Sequence, residues 1–308
     1  MKERILSSLI TLWIVSLISF AAIELAPGDP AEMILGSVSK DVPQETLGRL
    51  HSVYRFDQPA WKRYCLWAGS VVHGDLGVSL KTNRPIISEF RTRIPVSIAI
   101  AAGSWVLAVW IGLGLGTLSV LREGGLADHA VRLLSTAFQS VPVFIFGILL
   151  IYVFSFRLRW FPLYGPAGGG GFVLPIVALG GTMGFSLARV IRNTLLEAIH
   201  TEHFMAVLGK GLTFRGAVIR HGLRNALTPA VTYLAVRLAA LLGGVVLIET
   251  LFALPGMGSY IFEAVVSRDY PVIQAYILFL GLTVVIVNFG ADCLVRIIDP
   301  RGAASGVK

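Results

Sequence analysis

Six long apolar runs, with cations gathered near their ends, restrict this chain more than any other feature. A helix that crosses a bilayer needs about 20 apolar residues. Runs of that kind lie near residues 5–25, 95–121, 132–155, 172–191, 229–252 and 272–297. The chain has 308 residues, 55% hydrophobic and 14% charged, and a mean hydropathy of +0.75. Soluble domains carry about 25% charged residues. The fold class predicted is therefore an all-α integral membrane protein with six transmembrane helices.

The net charge of +8 does not point to nucleic acid. Proteins that bind nucleic acid cluster Lys and Arg on a soluble face. Here the cations flank apolar runs, which fits membrane topology and makes the lipid bilayer the expected surrounding. The two cysteines, Cys65 and Cys293, predict neither a disulfide framework nor a metal cluster.

Lys2 and Arg4 precede the first run. That run is longer than the ~7–15-residue core of a signal peptide, so an uncleaved anchor is expected. Gly180, Gly181 and Gly184 interrupt the fourth run and Arg189 ends it. Small residues are normal at tight helix contacts, and the Gly112/Gly116 pair in the second run is read as packing too. Lys and Arg in short loops set orientation. With the N-terminus inside, the inside segments hold Lys2, Arg4, Arg122, Arg132, the Arg189–Arg224 group, Arg296, Arg301 and Lys308. Short outside loops hold Arg157, Arg159 and Arg268. Both termini are then cytoplasmic. The expected organisation is a cytoplasmic N-terminus and first helix over 1–25, an extracytoplasmic segment over 26–94, and a core over 95–308 with a cytoplasmic loop at 192–228. Trp160, Phe161 and Tyr164, beside Pro162 and Pro166, read as an outer aromatic belt. Trp61, Cys65, Ala68 and Val72 recur at helical spacing and predict an amphipathic helix over 59–72, against the membrane surface or a partner.

The 192–228 loop is basic and punctuated by glycine. Arg189, Arg192, Lys210, Arg215, Arg220 and Arg224 alternate with Leu195, Leu196, Ile199, Phe204, Val207, Leu208 and Leu212. The stretch 194–209 is helix-compatible, with Gly209 and Gly211 as stops. Thr213 is placed to cap a second helix through Arg224. A short helix with apolar side chains at its tip needs a cover, either lipid headgroups or a groove on a soluble partner.

Glu24, Arg237, Glu249 and Asp292 lie in or near the apolar runs. A charge there costs about 2.5–3.5 kcal/mol on insertion scales, so each needs a partner or water. Arg237, well inside the fifth run, either faces a cavity or pairs with an acid. His200 and His203 share a ligand-like spacing with His221 nearby, but a metal site needs three or four ligands, and none is expected here.

The order Lys210-Gly211, His221-Gly222-Leu223-Arg224-Asn225-Ala226 and Pro229 resembles the cytoplasmic loop of the dipeptide/oligopeptide/nickel branch of ABC importer permeases. The similarity extends along nearly the whole chain. It includes Ala26-Pro27-Gly28-Asp29-Pro30, Asp57-Gln58-Pro59, Gly74-Asp75-Leu76-Gly77, Glu249-Thr250-Leu251-Phe252, Pro255-Gly256-Met257-Gly258, Arg268-Asp269-Tyr270-Pro271, Asn288, Asp292 and Asp299-Pro300-Arg301.

The resemblance implies the type I ABC importer permease fold in a bacterial inner membrane. It implies a second homologous permease, two cytoplasmic ATPases and an extracytoplasmic substrate-binding protein as partners. It also implies a coupling helix seated in an ATPase cleft, here His203, Phe204, Met205, Ala206, Val207, Leu208, Gly209, Lys210 and Gly211. The family usually has basic residues where Met205 and Leu208 stand, so charge contacts at those two positions are not carried over. Glu249 and Asp292 belong to family-wide patterns and suggest structural pairing. Arg237 and Glu249 remain the candidates for the translocation path, at the interface with the second permease.

The chain lacks a Gly-x-x-x-x-Gly-Lys-Ser/Thr phosphate loop and a Gly-x-Ser-x-Gly nucleophile motif. It is read as a non-catalytic subunit with no cofactor of its own, ATP and Mg being bound by partner subunits. The rival classes are a secondary transporter or channel acting alone and an intramembrane enzyme. The first commonly shows inverted repeats and paired broken helices, which are not seen here. Within the family that the chain resembles, the short Leu158–Val173 connection and the Arg268–Gln274 stretch are similar to nickel-type members, which implies nickel or a metal chelate as cargo, with di- or oligopeptides as the alternative.

Overall fold

The computed structural model describes residues 2–25, 58–162 and 167–298. The motif at Ala26–Pro30, Asp57, Tyr164, Pro166, the side chain of Asp292, Asp299-Pro300-Arg301 and Lys308 lie outside the described residues. The described elements are helices: α1 (Lys2–Glu24), α2 (Ala60–Val72), α3 (Ile86–Leu121), α4 (Leu126–Ser140) and α5 (Val143–Leu150), which continues as a π-helical stretch Ile151–Arg157. A 3-10 segment Ala167–Phe172 leads into α6 (Val173–Ile199). Then follow α7 (Glu202–Gly209), α8 (Phe214–Ala217) with a π-turn Val218–Gly222, α9 (Leu223–Leu251), α10 (Met257–Val266) and α11 (Tyr270–Ile298).

Among the described residues, three stretches are long and apolar enough to cross a membrane: Ile86–Leu121, Gly170–Ile199 and Tyr270–Gly290. The pair α4 and α5 makes a fourth if its 104° bend interrupts a single span. That bend has a local cause. Val141 precedes Pro142 and is extended at φ −97°, ψ 124°, because a proline ring disfavours helical backbone in the residue before it. The apolar part of α1, Leu6–Ala22, is shorter, and α9 is one helix of 29 residues. Three to four spans stand on this ground where the sequence predicts six.

The chain divides into two compact units, Met1–Arg93 with Tyr260–Val285, and Ile94–Ser259 with Ile286–Lys308. In the first, α2 lies along α1. Phe20, Tyr64 and Trp67 form a ring cluster with centroids 5.5–6.0 Å apart. Ser16 Oγ and the Tyr64 hydroxyl share a hydrogen bond of 2.8 Å. Glu24 is ion-paired to Arg63 of α2. The helix over 59–72 therefore exists, but the side that meets α1 carries Arg63, Tyr64 and Trp67. Trp61, Cys65 and Val72 of the predicted stripe stay exposed. Further along, Asp269 pins the Ser79–Lys81 loop. Its carboxylate accepts from Ser79 Oγ (2.6 Å) and from the amides of Leu80 (3.1 Å) and Lys81 (3.3 Å).

In the second unit α6 is the central helix, packed against α4, α5 and α9. Its glycines, which weaken it as a sequence signal, are what let α3 approach. A Cβ on Gly180 would lie 2.7 Å from the Ser104 carbonyl, and one on Gly184 2.7 Å from Ile111 Cβ. Facing them, a Cβ on Gly112 would meet Leu187 at 2.5 Å, and one on Gly116 the Ala188 carbonyl at 2.8 Å. Small-residue contact thus holds α3 to α6, as the Gly112/Gly116 spacing predicts. On the other side Phe138 stacks on Phe185 at 4.4 Å, and Ser135 Oγ donates to the Phe185 carbonyl at 2.8 Å.

Candidate functional site

The predicted helix over 194–209 is two helices. α6 ends at Ile199, and Thr201 turns extended (φ −80°, ψ 148°) and caps α7, its side chain accepting from the Phe204 amide. The Thr201 oxygen satisfies one of the amides that a helix start leaves unpaired. α7 ends at Gly209, and Gly211 adopts φ +88°, a left-handed backbone that glycine adopts without a Cβ penalty. Thr213 accepts from the Gly216 amide at 3.2 Å. The helix it caps does not stop at Arg224 but runs on through the π-turn into α9.

Within α7, Phe204 and Met205, both among the docking residues that the resemblance implies, face different ways. Phe204 points inward. It is 3% exposed and lies in the chain's own core with Val207, its ring 6.1 Å from that of Phe214. Met205 is 61% exposed. Helical spacing explains this. Positions 204 and 207 share a face, while 205 is rotated about 100° from 204. The outward residues of the loop are His203, Met205, Ala206, Gly209, Lys210 and Gly211, with Leu208 half-buried. His203 and His221 bring their rings to 6.4 Å. Among the described residues, no group of three His, Cys, Asp or Glu side chains converges.

The end of α6 that carries α7 is anchored by a buried charge cluster. Arg192 makes a two-pronged contact with Asp128, Nε to Oδ1 at 2.6 Å and the terminal nitrogen to Oδ2 at 3.0 Å. Arg192 Nε also donates to Ser119 Oγ at 3.1 Å, and Ser119 in turn donates to Asp128. The Gly124 amide adds a bond to Asp128 at 3.2 Å. Three helices, α3, α4 and α6, are thus tied at one point. The paired guanidinium fork fits a carboxylate in a way a lysine would not. Sequence reading missed Asp128. Its one legible signal is its place four residues before Arg132.

Glu249 does not stand open to a path. It is 0% exposed, and its carboxylate accepts from Ser97 Oγ (2.5 Å) and from the amides of Gly258 (2.6 Å) and Ser259 (3.2 Å). Ser97 Oγ also accepts from the Met257 amide at 2.8 Å. Glu249 therefore caps the first turn of α10, where amides lack partners and the helix end favours negative charge. The surrounding Pro255-Gly256-Met257-Gly258 motif follows from this. A Cβ on Gly256 would sit 2.2 Å from the carboxylate, and one on Gly258 2.4 Å from Val246 Cα.

Arg237 is exposed. Its guanidinium carbon lies 5.4 Å from the centroid of Tyr233. No carboxylate pairs with it among the described residues.

Helices long and apolar enough to cross a membrane, packed closely through glycines, define an integral membrane protein. Residues 85–303 match the family described as binding-protein-dependent transport system inner membrane component. The chain belongs to that family and is an ABC importer permease subunit, a class that is itself non-catalytic. It is 34% identical to the di/tripeptide transport system permease protein DppB of Pseudomonas aeruginosa (strain UCBPP-PA14), over 93% of each chain. It is 32% identical to the glutathione transport system permease protein GsiC of Escherichia coli O6:H1 (strain CFT073), over 97% of this chain and 96% of that one. A probable peptide ABC transporter permease protein, y4tP of Sinorhizobium fredii, is 30% identical over 97% of both. Among solved structures, the MetNI methionine ABC transporter in its inward-facing conformation shares the fold. Its TM-score is 0.58 at 22% identity, covering 68% of this chain and 96% of that one.

Proposed function

We propose that this permease subunit imports short peptides across a bacterial inner membrane, driven by partner ATPases that dock on α7. The observation that supports the cargo is similarity along 93–97% of the chain to permeases named for di/tripeptide, glutathione and peptide transport. The nickel reading rests on one short connection and the Arg268–Gln274 stretch, so the peptide alternative is the stronger. A secondary transporter acting alone fits poorly with membership of a binding-protein-dependent family.

Adding α1 and α9 to the four candidate spans gives six, with α7 and both termini on the cytoplasmic side. The basic residues of the inside segments favour that orientation. The partners are a second permease, two ATPases that bind ATP and Mg, and an extracytoplasmic binding protein. ATPase closure would move α7 and, through the Asp128–Arg192 anchor, tilt the spans between two states.

Uptake in cells carrying the whole system, with and without this chain, tests the cargo. Loss of labelled tripeptide uptake with unchanged nickel uptake is the expected result. Nickel uptake that depends on this chain, with no peptide uptake, overturns it. A reporter active only outside the cytoplasm should work after Lys81 and be silent after Gly216. The opposite pattern reverses the orientation.

A further inference from the structure

The exposed faces of α3 and α9 differ in kind. On α3 the exposed positions between 95 and 118 are Pro95, Ile98, Ala99, Ala102, Val106, Trp110, Gly114 and Leu118, with no polar side chain among them. That is a face made for lipid tails. On α9 the exposed residues before the undescribed side chains are Arg224, Asn225, Pro229, Thr232, Val236 and Arg237. Positions 225, 229, 232 and 236 fall on one helical stripe, with Arg237 at its edge. Opposite them, Ala226, Ala230 and Leu234 are buried in the core.

Arg237 lies fourteen residues from either end of the Leu223–Leu251 helix, about 21 Å at 1.5 Å per residue. A charge that far inside a span is not left to lipid and marks a path or a partner. Its guanidinium lies over the Tyr233 ring, and no carboxylate pairs with it among the described residues. A ring steadies a guanidinium but takes none of its five N–H donors as a carboxylate would.

We propose that the Asn225–Arg237 face of α9 lines the water-filled translocation path, and that Arg237 receives the terminal carboxylate of the transported peptide there. The carboxylate assignment rests on the short-peptide reading, whereas the wetting of the face does not. A guanidinium offers a carboxylate two parallel hydrogen bonds. Held this way, a free peptide terminus is chosen over a blocked one, at a point after the binding protein has released its cargo.

The test uses the whole assembled complex in proteoliposomes. First, Arg237→Cys is placed in a Cys65→Ser/Cys293→Ser background and treated with a charged, membrane-impermeant methanethiosulfonate. Labelling is expected. A thiol that stays unlabelled while assembly is normal faces lipid or protein and overturns the proposal. Second, uptake of a tripeptide and of its C-terminal amide is compared for wild type, Arg237→Gln and Arg237→Lys. The Gln variant should lose roughly tenfold of the free-acid uptake, the order of one lost charge-assisted contact. The ratio of free-acid to amide uptake should fall by a similar factor, with Lys intermediate. An unchanged ratio of acid to amide in the Gln variant overturns the carboxylate role. Loss of assembled complex rather than of uptake assigns Arg237 to a structural ion pair and also overturns it. A wild-type complex that imports neither peptide fails the short-peptide reading and with it the carboxylate, while labelling at position 237 still decides whether the face is wet.

Discussion

Glu249 and Arg237 stand twelve residues apart on one helix, and the same insertion argument applies to both. Their surroundings separate them. Glu249 is enclosed, with Ser97 and two amides of α10 as donors. Arg237 is exposed, with an aromatic ring as its contact among the described residues. A charge in an apolar helix is therefore not a functional sign by itself. One whose hydrogen bonds are met inside the chain is part of the scaffold. One whose bonds are not met must find them in water, cargo or another subunit. α7 repeats the contrast without charge, since Phe204 points into the core and Met205 out of it.

The widest separation is expected from removing each charge in turn. Glu249→Ala leaves the amides of Gly258 and Ser259 unsatisfied at about 1–3 kcal/mol each and opens a cavity besides. We expect the monodisperse peak of the detergent-extracted chain to be lost in size-exclusion chromatography. Arg237→Gln should keep that peak. Equal loss in both variants, or none in Glu249→Ala, breaks the comparison.

α7 gives the next largest effect. Phe204→Ala removes a buried ring at about 3–5 kcal/mol and should lower the yield of folded chain. Met205→Asp should leave yield and melting unchanged while the ATPase subunits no longer co-purify, because a carboxylate cannot enter an apolar groove unpaired. Full ATPase content with Met205→Asp removes α7 as the docking element. Reduced yield from Met205→Asp would mean that 205, too, belongs to the scaffold.

The sequence makes some of this contrast legible and hides the rest for physical reasons. Apolar runs mark the helices because length and composition alone set a span. The caps at Thr201 and Thr213 act locally, and Thr213 is readable beside its glycines. The glycines of α6 read as packing residues, but the helix they meet, α3, is remote in sequence and is not named by any local pattern. Asp128, Ser97 and Asp269 act on partners 64, 152 and 188–190 positions distant, and no local pattern announces such a pairing. Helical periodicity puts Phe204 and Met205 on different faces, but which face is buried depends on Phe214 across the turn.

The finest test concerns two glycines that differ only in what lies beside them. At Gly258 an added Cβ would come 2.4 Å from Val246 Cα and 2.9 Å from its amide nitrogen. Both are backbone atoms of α9, so the helices themselves would have to part, and the Gly258 amide would be drawn away from Glu249. Overpacking of that kind costs about 1–3 kcal/mol. At Gly209 an added Cβ meets nothing within 4 Å. The residue ends an α-helix, where alanine is favoured over glycine by up to about 1 kcal/mol. Gly258→Ala should therefore lower the melting temperature of the extracted chain by several degrees, and Gly209→Ala should hold or slightly raise it. If Gly258→Ala melts like wild type, α10 is free to shift against α9. The Glu249 cap would then be one arrangement among several rather than a fixed part of the scaffold, and its contrast with Arg237 would narrow to a difference in exposure alone.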